Sequence, residues 1–216
     1  MKKMKKVLKK ALLLILCLAM AQTPAVSNVI GGGTSITAQA ATQNGLVKKN
    51  GKYYYYKNGV KLKNTWKTVT KTSSSGKTTT NKYYFGSNGA AVMATTTMDC
   101  TYNIKVKTIN GKKYGFDTKA RLASGIYADE LTGKLYYFNA KGVYNATKTK
   151  KLRAAAKQGS DLAALVKLLG TPKSRTESNS CLMLGYTDIT LTYAHFTVYG
   201  LQAPDGTETV YAIYTI

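Results

Sequence analysis

The spacing of apolar and polar positions changes twice along the chain. An unbroken apolar run, residues 11–20, follows a lysine-rich start. From about Thr42 to Tyr144, apolar and polar side chains alternate in short segments, which is the period of a half-buried β-strand. After Tyr144 the apolar positions first recur every three or four residues and then alternate again. The pattern predicts a leader, an array of short strands, and a final unit that combines helices with strands.

Four segments of the array share one aromatic pattern. They align without gaps on the anchors Gly59, Gly89, Ala120 and Gly142. Six and four residues before the anchors stand the pairs Tyr53 and Tyr55, Tyr83 and Phe85, Tyr114 and Phe116, and Tyr136 and Phe138. Because strand side chains alternate, each pair shares one face, and the residue between its members faces the other way. Each segment predicts an aromatic strand that ends at a turn and continues into a second short strand, a β-hairpin.

The hairpins follow one another at irregular spacing, with anchors 30, 31 and 22 residues apart. A single hairpin cannot bury its aromatic face, whereas several in series form one continuous core. We therefore expect a mostly β, solenoid-like array in which the aromatic pairs face the core and the opposite side chains line grooves. Residues 69–81, rich in Ser, Thr and Gly, are interpreted as a flexible insertion in one repeat.

The last part of the chain predicts a small α+β unit. Residues 147–159 favour a helix, and Leu162, Leu165, Val166 and Leu169 mark a second, amphipathic one with Ser160 as its N-cap. The segments "SCLMLGY", "ITLTYAHFTVYGL" and "TETVYAIYTI" are typical of strands, and "APDG" joins the last two. We expect one or two helices on a three- or four-stranded antiparallel sheet.

The leader has the features of a secretory signal peptide. Residues 1–10 carry six lysines and no acid, the apolar run follows, and Ala38 and Ala40 form an A-x-A cleavage pattern. The earlier "AMA" at residues 19–21 is the competing site. We divide the chain into a signal peptide, 1–41, a repeat region, 42–148, and an α+β domain, 149–216. The protein is expected to be secreted, extracellular or cell-wall associated, with no membrane span after cleavage.

Charge is distributed very unevenly in the remaining chain. Residues 42–158 contain twenty-three basic and four acidic residues, a net +19, whereas residues 159–216 have a net charge of −2. Such an imbalance indicates a polyanionic partner, such as wall teichoic acid or an acidic glycan. A solvated basic face is the alternative. No nucleic-acid recognition motif is present, so nucleic acid is not expected as a partner.

The repeats resemble the cell-wall-binding repeats of Gram-positive surface proteins, the group that includes choline-binding and glucan-binding modules. The resemblance covers about Gly45 to Tyr144 and rests on the recurring G-K-x-Y-Y-F-x-x-x-G pattern. It implies a β-hairpin solenoid attached noncovalently to wall polymer or glucan. Choline repeats place a tryptophan seven residues before the anchor glycine, and here Lys52, Lys82, Lys113 and Leu135 stand there. A lysine repels a quaternary ammonium, so anionic polymer is the expected ligand.

The second cage aromatic of choline repeats corresponds loosely to Trp66 and Tyr127. Residues 149–216 resemble the domain shared by β-lactamase-inhibitory proteins and small outer-membrane-assembly lipoproteins, on the succession of a helix, "LLGTP" and tyrosine-rich strands. This resemblance implies an interaction or assembly module with a protein partner. A structural cap that closes the hairpin array is the alternative.

Catalytic chemistry is not expected. The one histidine, His195, stands in an alternating segment, and no orienting acid accompanies Cys181 as a nucleophile. No metal cluster, phosphate loop or hydrolase elbow is present, and no cofactor is predicted. Cys100 and Cys181 form a candidate disulfide, with two unpaired thiols as the alternative.

We therefore predict a noncatalytic cell-envelope protein that binds anionic wall polymer or glycan through basic aromatic repeats. The alternative is a protein-binding or inhibitor-like function in the C-terminal domain, with the repeats as anchor. The predicted ligand-binding residues are Tyr54, Tyr56, Trp66, Tyr84, Tyr137, Lys52, Lys82 and Lys113.

Overall fold

The computed structural model describes residues 42–96, 102–181 and 183–216. In these residues the chain is mostly β, with small antiparallel sheets and two helices, as predicted. The predicted signal peptide, 1–41, and its cleavage site lie outside the described residues. Thr42–Ile216 forms one compact unit.

Four hairpins occupy the first part of this unit. Hairpin 1 (45–61) contains β1 Gly45–Lys49, β2 Lys52–Lys57 and β3 Val60–Lys61, and hairpin 2 (65–91) contains β4 Thr65–Thr72 and β5 Thr78–Phe85. Hairpin 3 (105–122) contains β6 Lys105–Ile109 and β7 Lys112–Phe116, and hairpin 4 (125–144) contains β8 Gly125–Ala128 and β9 Leu135–Phe138. The aromatic strand is always the second strand of its hairpin.

The pairing of the aromatic strands differs from the prediction in one respect. Each pairs along most of its length with the strand before it. The segment after the turn contributes only β3 in hairpin 1 and a single bridge in each of the others, Phe85 to Ala91, Phe116 to Leu122 and Phe138 to Tyr144. In hairpins 1 to 3 the preceding strands contain several lysines and other polar residues, so no clear hydrophobic period predicts them.

The anchor positions confirm the repeat alignment. Gly59, Gly89 and Gly142 have φ values of 74°, 76° and 74°, and Ala120 has φ 61°. The left-handed region is costly for a residue with a Cβ atom, so Ala120 occupies it because the turn of the repeat requires it. In the last three hairpins the anchor N–H donates to a carbonyl three residues earlier, at 2.8 to 3.0 Å.

Successive hairpins are joined by one recurring backbone hydrogen bond. The N–H groups of Ala91, Leu122 and Tyr144, just after each turn, donate to the carbonyls of Tyr53, Lys82 and Lys113 in the preceding hairpin, each at 2.8 Å. The aromatic residues Phe85, Phe116 and Phe138 are fully buried at these joints. An aromatic core is therefore present at the joints, but its buried residues form separate clusters around Phe85 and Phe138 rather than the predicted continuous core.

The interpretation of residues 69–81 as a flexible insertion is wrong. They belong to the longest hairpin, and only the turn at Ser73–Lys77 separates its strands. Threonine hydroxyls face each other across the pair, with Oγ1 atoms 3.0 Å apart for Thr70 and Thr80 and 3.2 Å apart for Thr72 and Thr78. β-Branched threonine favours strands, and cross-strand Thr pairs stabilise them.

The C-terminal part contains two helices and one four-stranded sheet. Helix α1 is Ala146–Ala155 and helix α2 is Leu162–Leu169. The strands β10 Ser174–Asn179, β11 Thr187–Thr192, β12 Phe196–Gln202 and β13 Glu208–Thr215 follow as an antiparallel meander. The predicted helices-then-sheet order is confirmed.

Two details of this part differ from the prediction. The N-cap of α2 is Asp161, whose carboxylate accepts from the Ala163 N–H at 2.9 Å, and not Ser160. The segment "SCLMLGY" does not form a strand among its described residues, and the edge strand β10 precedes it instead. All six residues of β10 are exposed, so no hydrophobic alternation marks it in the sequence.

The C-terminal core extends into hairpin 4. Ala128 and Leu135 of that hairpin belong to the same buried cluster as Leu162, Leu165 and Val198. The bridge between Asp161 and Thr209 ties α2 to the sheet. Hairpin 4 therefore contributes to both the aromatic array and the C-terminal core, although the predicted division falls after it, at residue 148.

Candidate functional site

Basic side chains cover many of the aromatic rings in the described part of the chain. Five ammonium groups lie 4.6 to 5.5 Å from a ring centroid, and one guanidinium lies at 4.4 Å. The pairs are Lys48 on Tyr53, Lys61 on Tyr54, Lys67 on Tyr55, Lys82 on Trp66, Lys148 on Tyr137 and Arg153 on Tyr136. Each exposed pair of this kind contributes about 0.5–1 kcal/mol. The rings thus hold basic groups in place at the surface.

Trp66 lies at the centre of a cluster of four rings. Its ring is 5.1 Å from Tyr84 in its own hairpin, and 5.0 Å and 5.8 Å from Tyr114 and Phe116 in the next. Lys82 Nζ lies 4.8 Å from the Trp66 centroid. The cluster spans the joint between hairpins 2 and 3 and carries a positive charge on its open side.

A groove of about 600 Å³ opens beside this cluster, between hairpins 2, 3 and 4. We call it groove B. Trp66 and Tyr114 form its aromatic wall, and Lys82, Lys112 and Lys141 project from three different hairpins. No acidic residue is among its described lining. Three ammonium groups around one groove suit a ligand with repeated negative charges.

A second groove, of about 780 Å³, lies between hairpins 1, 2 and 3. We call it groove A. Tyr84 contributes its ring, and Lys52, Lys105 and Lys107 contribute charge. The described lining again contains no acid. The two grooves therefore have the same kind of lining, aromatic rings with three lysines, at successive joints of the array.

The predicted ligand-binding residues are divided by these grooves. Lys52 and Tyr84 line groove A, and Trp66 and Lys82 line groove B. The remaining four, Tyr54, Tyr56, Tyr137 and Lys113, are absent from the described lining of both grooves. Their assignment as ligand-binding residues stays a prediction.

These four residues have other surroundings. Tyr54 lies under Lys61, and Tyr137 lies under Lys148 and packs against the C-terminal core. Tyr56 is half-buried in β2, whereas Lys113 is exposed and offers its carbonyl to Tyr144. Tyr127, the loose match to a cage aromatic, is buried against His195 and cannot face a groove.

Sequence reasoning missed five groove residues: Lys105, Lys107, Lys112, Lys141 and Tyr114. Lys105 and Lys107 alternate along β6, which is the spacing that brings two lysines to one strand face. This alternation of the two lysines can be read in the sequence. Lys112, at the start of β7, and Lys141, in the turn of hairpin 4, share a groove with Trp66 only when the hairpins stack.

The single histidine is half-buried in an aromatic stack. Tyr127 lies parallel to the His195 ring at 4.2 Å, and Tyr102 is tilted at 4.9 Å. Burial lowers the pKa of His195. The negative charge of Asp117 raises this pKa, whereas the positive charges of Arg121 and Lys173 lower it further. Among the described residues, Nδ1 of His195 has no hydrogen-bond partner. A neutral ring without an orienting partner packs the core and does not suit general base catalysis.

The two cysteines of the candidate disulfide lie in different parts of the chain. Cys181 is exposed. Cys100 lies outside the described residues, so a bridge between them stays a prediction. The described residues contain no group of side chains arranged to hold a metal ion, and none of their helices combines the length and apolar character needed to cross a membrane.

No family model and no curated protein matches this chain. Among solved structures, it is similar to the modular Cpl-1 endolysin complexed with a peptidoglycan analogue, at 12% identity and a TM-score of 0.34, over 77% of this chain and 37% of that one. It is also similar to an alternansucrase in complex with isomaltotriose, at 16% identity and a TM-score of 0.25, over 77% of this chain and 11% of that one. At TM-scores this low, neither likeness assigns a function.

Proposed function

We propose that this protein is a noncatalytic, extracellular binding protein that holds an anionic cell-wall polymer or acidic glycan in the grooves between its hairpins. The observation that carries the proposal is groove B, where Lys82, Lys112 and Lys141 surround an aromatic wall and no acid is present in the described lining. Groove A repeats the arrangement. A polymer with regularly spaced phosphates or carboxylates would meet basic groups at both.

The position of Lys82 favours an anion over a quaternary ammonium. Its ammonium already occupies the open side of Trp66, 4.8 Å from the ring centroid. A second cation there would meet a like charge and lose the ring face that attracts it. An anion would instead form a charge-assisted contact with Lys82 while the ring keeps the ammonium in position. Free choline is therefore expected not to compete.

An extracellular location is consistent with the lysine-rich, apolar leader and with the chemistry of the grooves. Outside the cell, the abundant polyanions with repeating charge are wall polymers and acidic glycans. Residues 42–148, the repeat region, have a net charge of +15, whereas residues 149–216 have a net charge of only +2. The polymer would therefore lie along the hairpins.

The test compares two variants with the same net charge. In the first, Lys82, Lys112 and Lys141 of groove B become Gln; in the second, the exposed Lys150, Lys151 and Lys157 become Gln. Binding of the mature protein to immobilised wall teichoic acid and to isolated Gram-positive walls is measured. With about 0.2–1 kcal/mol for each exposed ion pair, the groove variant should bind roughly three- to hundred-fold more weakly. Equal losses in both variants would show that only overall charge matters and would overturn the groove assignment.

A further inference from the structure

The C-terminal sheet has a second aromatic surface that the proposed function does not use. One face of the sheet packs on the helices through Ile189, Leu191 and Val198. On the other face Tyr199, Tyr211 and Tyr214 leave 38%, 46% and 55% of their surface exposed. Scattered exposed rings are ordinary, but three on one small sheet face form a platform.

A β-bulge helps to build this platform. Tyr199 pairs with Ala212 and the next residue, Gly200, pairs with Val210, which leaves Tyr211 as the extra residue of β13. Tyr211 and Tyr214 are three positions apart, which would place them on opposite faces of a regular strand. Bulges redirect side chains, and this one allows both tyrosines to lie on the same face. Tyr199 and Tyr214 meet at 5.8 Å with their planes 67° apart.

The rings border a groove of about 560 Å³, which we call the sheet groove. Hydrogen-bonding side chains stand beside the rings, among them Ser178, Asp188 and Thr190. In the part of the chain that the structure describes, none of these three makes a side-chain hydrogen bond or ion pair. Their donors and acceptors are open to a ligand.

The sheet groove differs in charge from the two grooves of the hairpins. Its described lining contains no lysine or arginine, and Asp188 is its one charged residue. Among the described residues, no basic group lies over Tyr199, Tyr211 or Tyr214, in contrast to the covered rings of the repeats. These rings are not paired with a described positive charge, and the Asp188 carboxylate repels an anionic polymer.

We propose that the sheet groove binds a short segment of a neutral oligosaccharide. The C–H groups on a sugar face can pack on the electron-rich faces of the tyrosines. The sugar hydroxyls can donate to the Asp188 carboxylate and exchange hydrogen bonds with Ser178 and Thr190. The volume lies within the range of about 300 to 1,000 Å³ that small-molecule sites occupy. This site is independent of the anion-binding grooves.

A cationic group fits the same surface less well. Asp188 and the tyrosines would attract it, but a single ammonium would leave most of the groove and both hydroxyls without a ligand. A sugar satisfies the carboxylate, the hydroxyls and the rings together. A cation is the main alternative ligand for this groove and is included in the test.

The experiment titrates the mature protein with uncharged trisaccharides, namely isomaltotriose, cellotriose and the trimer of N-acetylglucosamine, by calorimetry and by NMR of labelled tyrosine rings. At least one trisaccharide should bind and shift the ring signals. The double variant Tyr199→Ala, Tyr214→Ala should bind about ten-fold more weakly or not at all, a change of about 1.4 kcal/mol. Thr192→Ala, on the same strand as Thr190 but outside the groove, should bind normally. Asp188→Asn, a milder change, should weaken binding without altering the fold.

Three results would overturn the inference. These are no binding by any of the trisaccharides, unchanged binding by the double variant, or preferential binding of tetramethylammonium that depends on Asp188. The groove B lysine variant should retain trisaccharide binding, and the tyrosine variant should retain teichoic acid. Failure of the sheet site is therefore distinguishable from failure of the proposed function.

Discussion

At the scale of single residues, the recurring feature is a basic group over a ring. The alternation of the sequence assigned Tyr53 and Tyr55 to the core side, and both pack against the cluster around Phe85. It did not show that all four tyrosines of β2 are only half-buried. Each later hairpin has one fully buried phenylalanine, whereas hairpin 1 has a described neighbour on one side and no such ring. Lysines of hairpin 1 and of hairpin 2 lie over its tyrosines, and this pairing between strands cannot be read from spacing along one strand.

Replacing Phe116 with Ala should destabilise the protein strongly. The side chain is fully buried and stacks on Trp66, so its loss leaves a cavity that costs about 3–5 kcal/mol. Tyr54→Ala is the comparison, because that ring is half-buried under Lys61 and should cost about 1–2 kcal/mol. Chemical denaturation of both variants measures the difference. Equal losses would contradict the assignment of the two strand faces.

The stability of the protein should fall as pH drops below about 6.5, the ordinary histidine pKa. Burial lowers the pKa of His195 in the folded protein. As the pH falls below the ordinary histidine pKa, the unfolded chain therefore binds a proton before the folded chain does. The contribution of neutral His195 to the free energy of unfolding is fully present above the pKa of the unfolded state, and it is lost as the pH falls toward the pKa of the folded state. His195→Phe, which keeps a ring beside Tyr127, should flatten the profile between about pH 7 and 5. The check is the free energy of unfolding as a function of pH, and an unchanged slope in the variant would contradict the role of His195.

At the scale of elements, the sequence predicts some strands far better than others. The aromatic strands and α2 have clear hydrophobic periods, and both are present. The polar partners β6 and β10 have no such period, because their side chains are mostly exposed and their stability comes from backbone pairing. The N-cap of α2 shows the same limit, since Ser160 and Asp161 are both good caps and only the local backbone decides between them.

Gly115 replaces a tyrosine of the other repeats for a steric reason. A Cβ atom there would come within 2.5 Å of the Phe138 ring of the next hairpin. Gly115→Ala should therefore destabilise the joint by about 1–3 kcal/mol through overpacking. Gly86→Ala is the matched control, because its Cβ would meet its nearest atom at an ordinary 3.7 Å. Thermal melting compares the two variants; a Gly115→Ala protein as stable as the control would mean that Phe138 can move aside.

At the scale of the whole molecule, the array and the C-terminal unit share buried residues. Sequence reasoning divided the chain after hairpin 4, because the hydrophobic period changes there. Yet Leu135 of hairpin 4 is fully buried in the cluster that also contains Leu162 and Leu165 of α2. A change of period marks where one element type ends and does not show which elements share a core. Grooves between the hairpins were predicted, but most of their lysines were not, since each groove combines side chains from three hairpins.

Hairpin 4 should unfold together with the C-terminal sheet. Leu165→Ala should cost about 2–5 kcal/mol, because the side chain is fully buried. Amide hydrogen exchange should then accelerate by a similar factor in β9 and in β12. Exchange in β2 should change less, since hairpin 1 does not contact that cluster. Protection in β9 that stays at its original level would show that hairpin 4 is held by the array alone.

The recurring joint has a consequence for how such a chain can change in length. Each later hairpin is tied to the one before by a backbone hydrogen bond from the residue two positions after its anchor. The acceptor carbonyl lies seven residues before the preceding anchor in hairpins 2 and 3 and six residues before it in hairpin 1. A hairpin duplicated or deleted between two others would leave the geometry of its neighbours intact, as in other arrays held by nearest-neighbour contacts. Because the basic grooves lie at the joints, each added hairpin would also add valency. Avidity for a long polymer would then rise with hairpin number without any single groove becoming tighter.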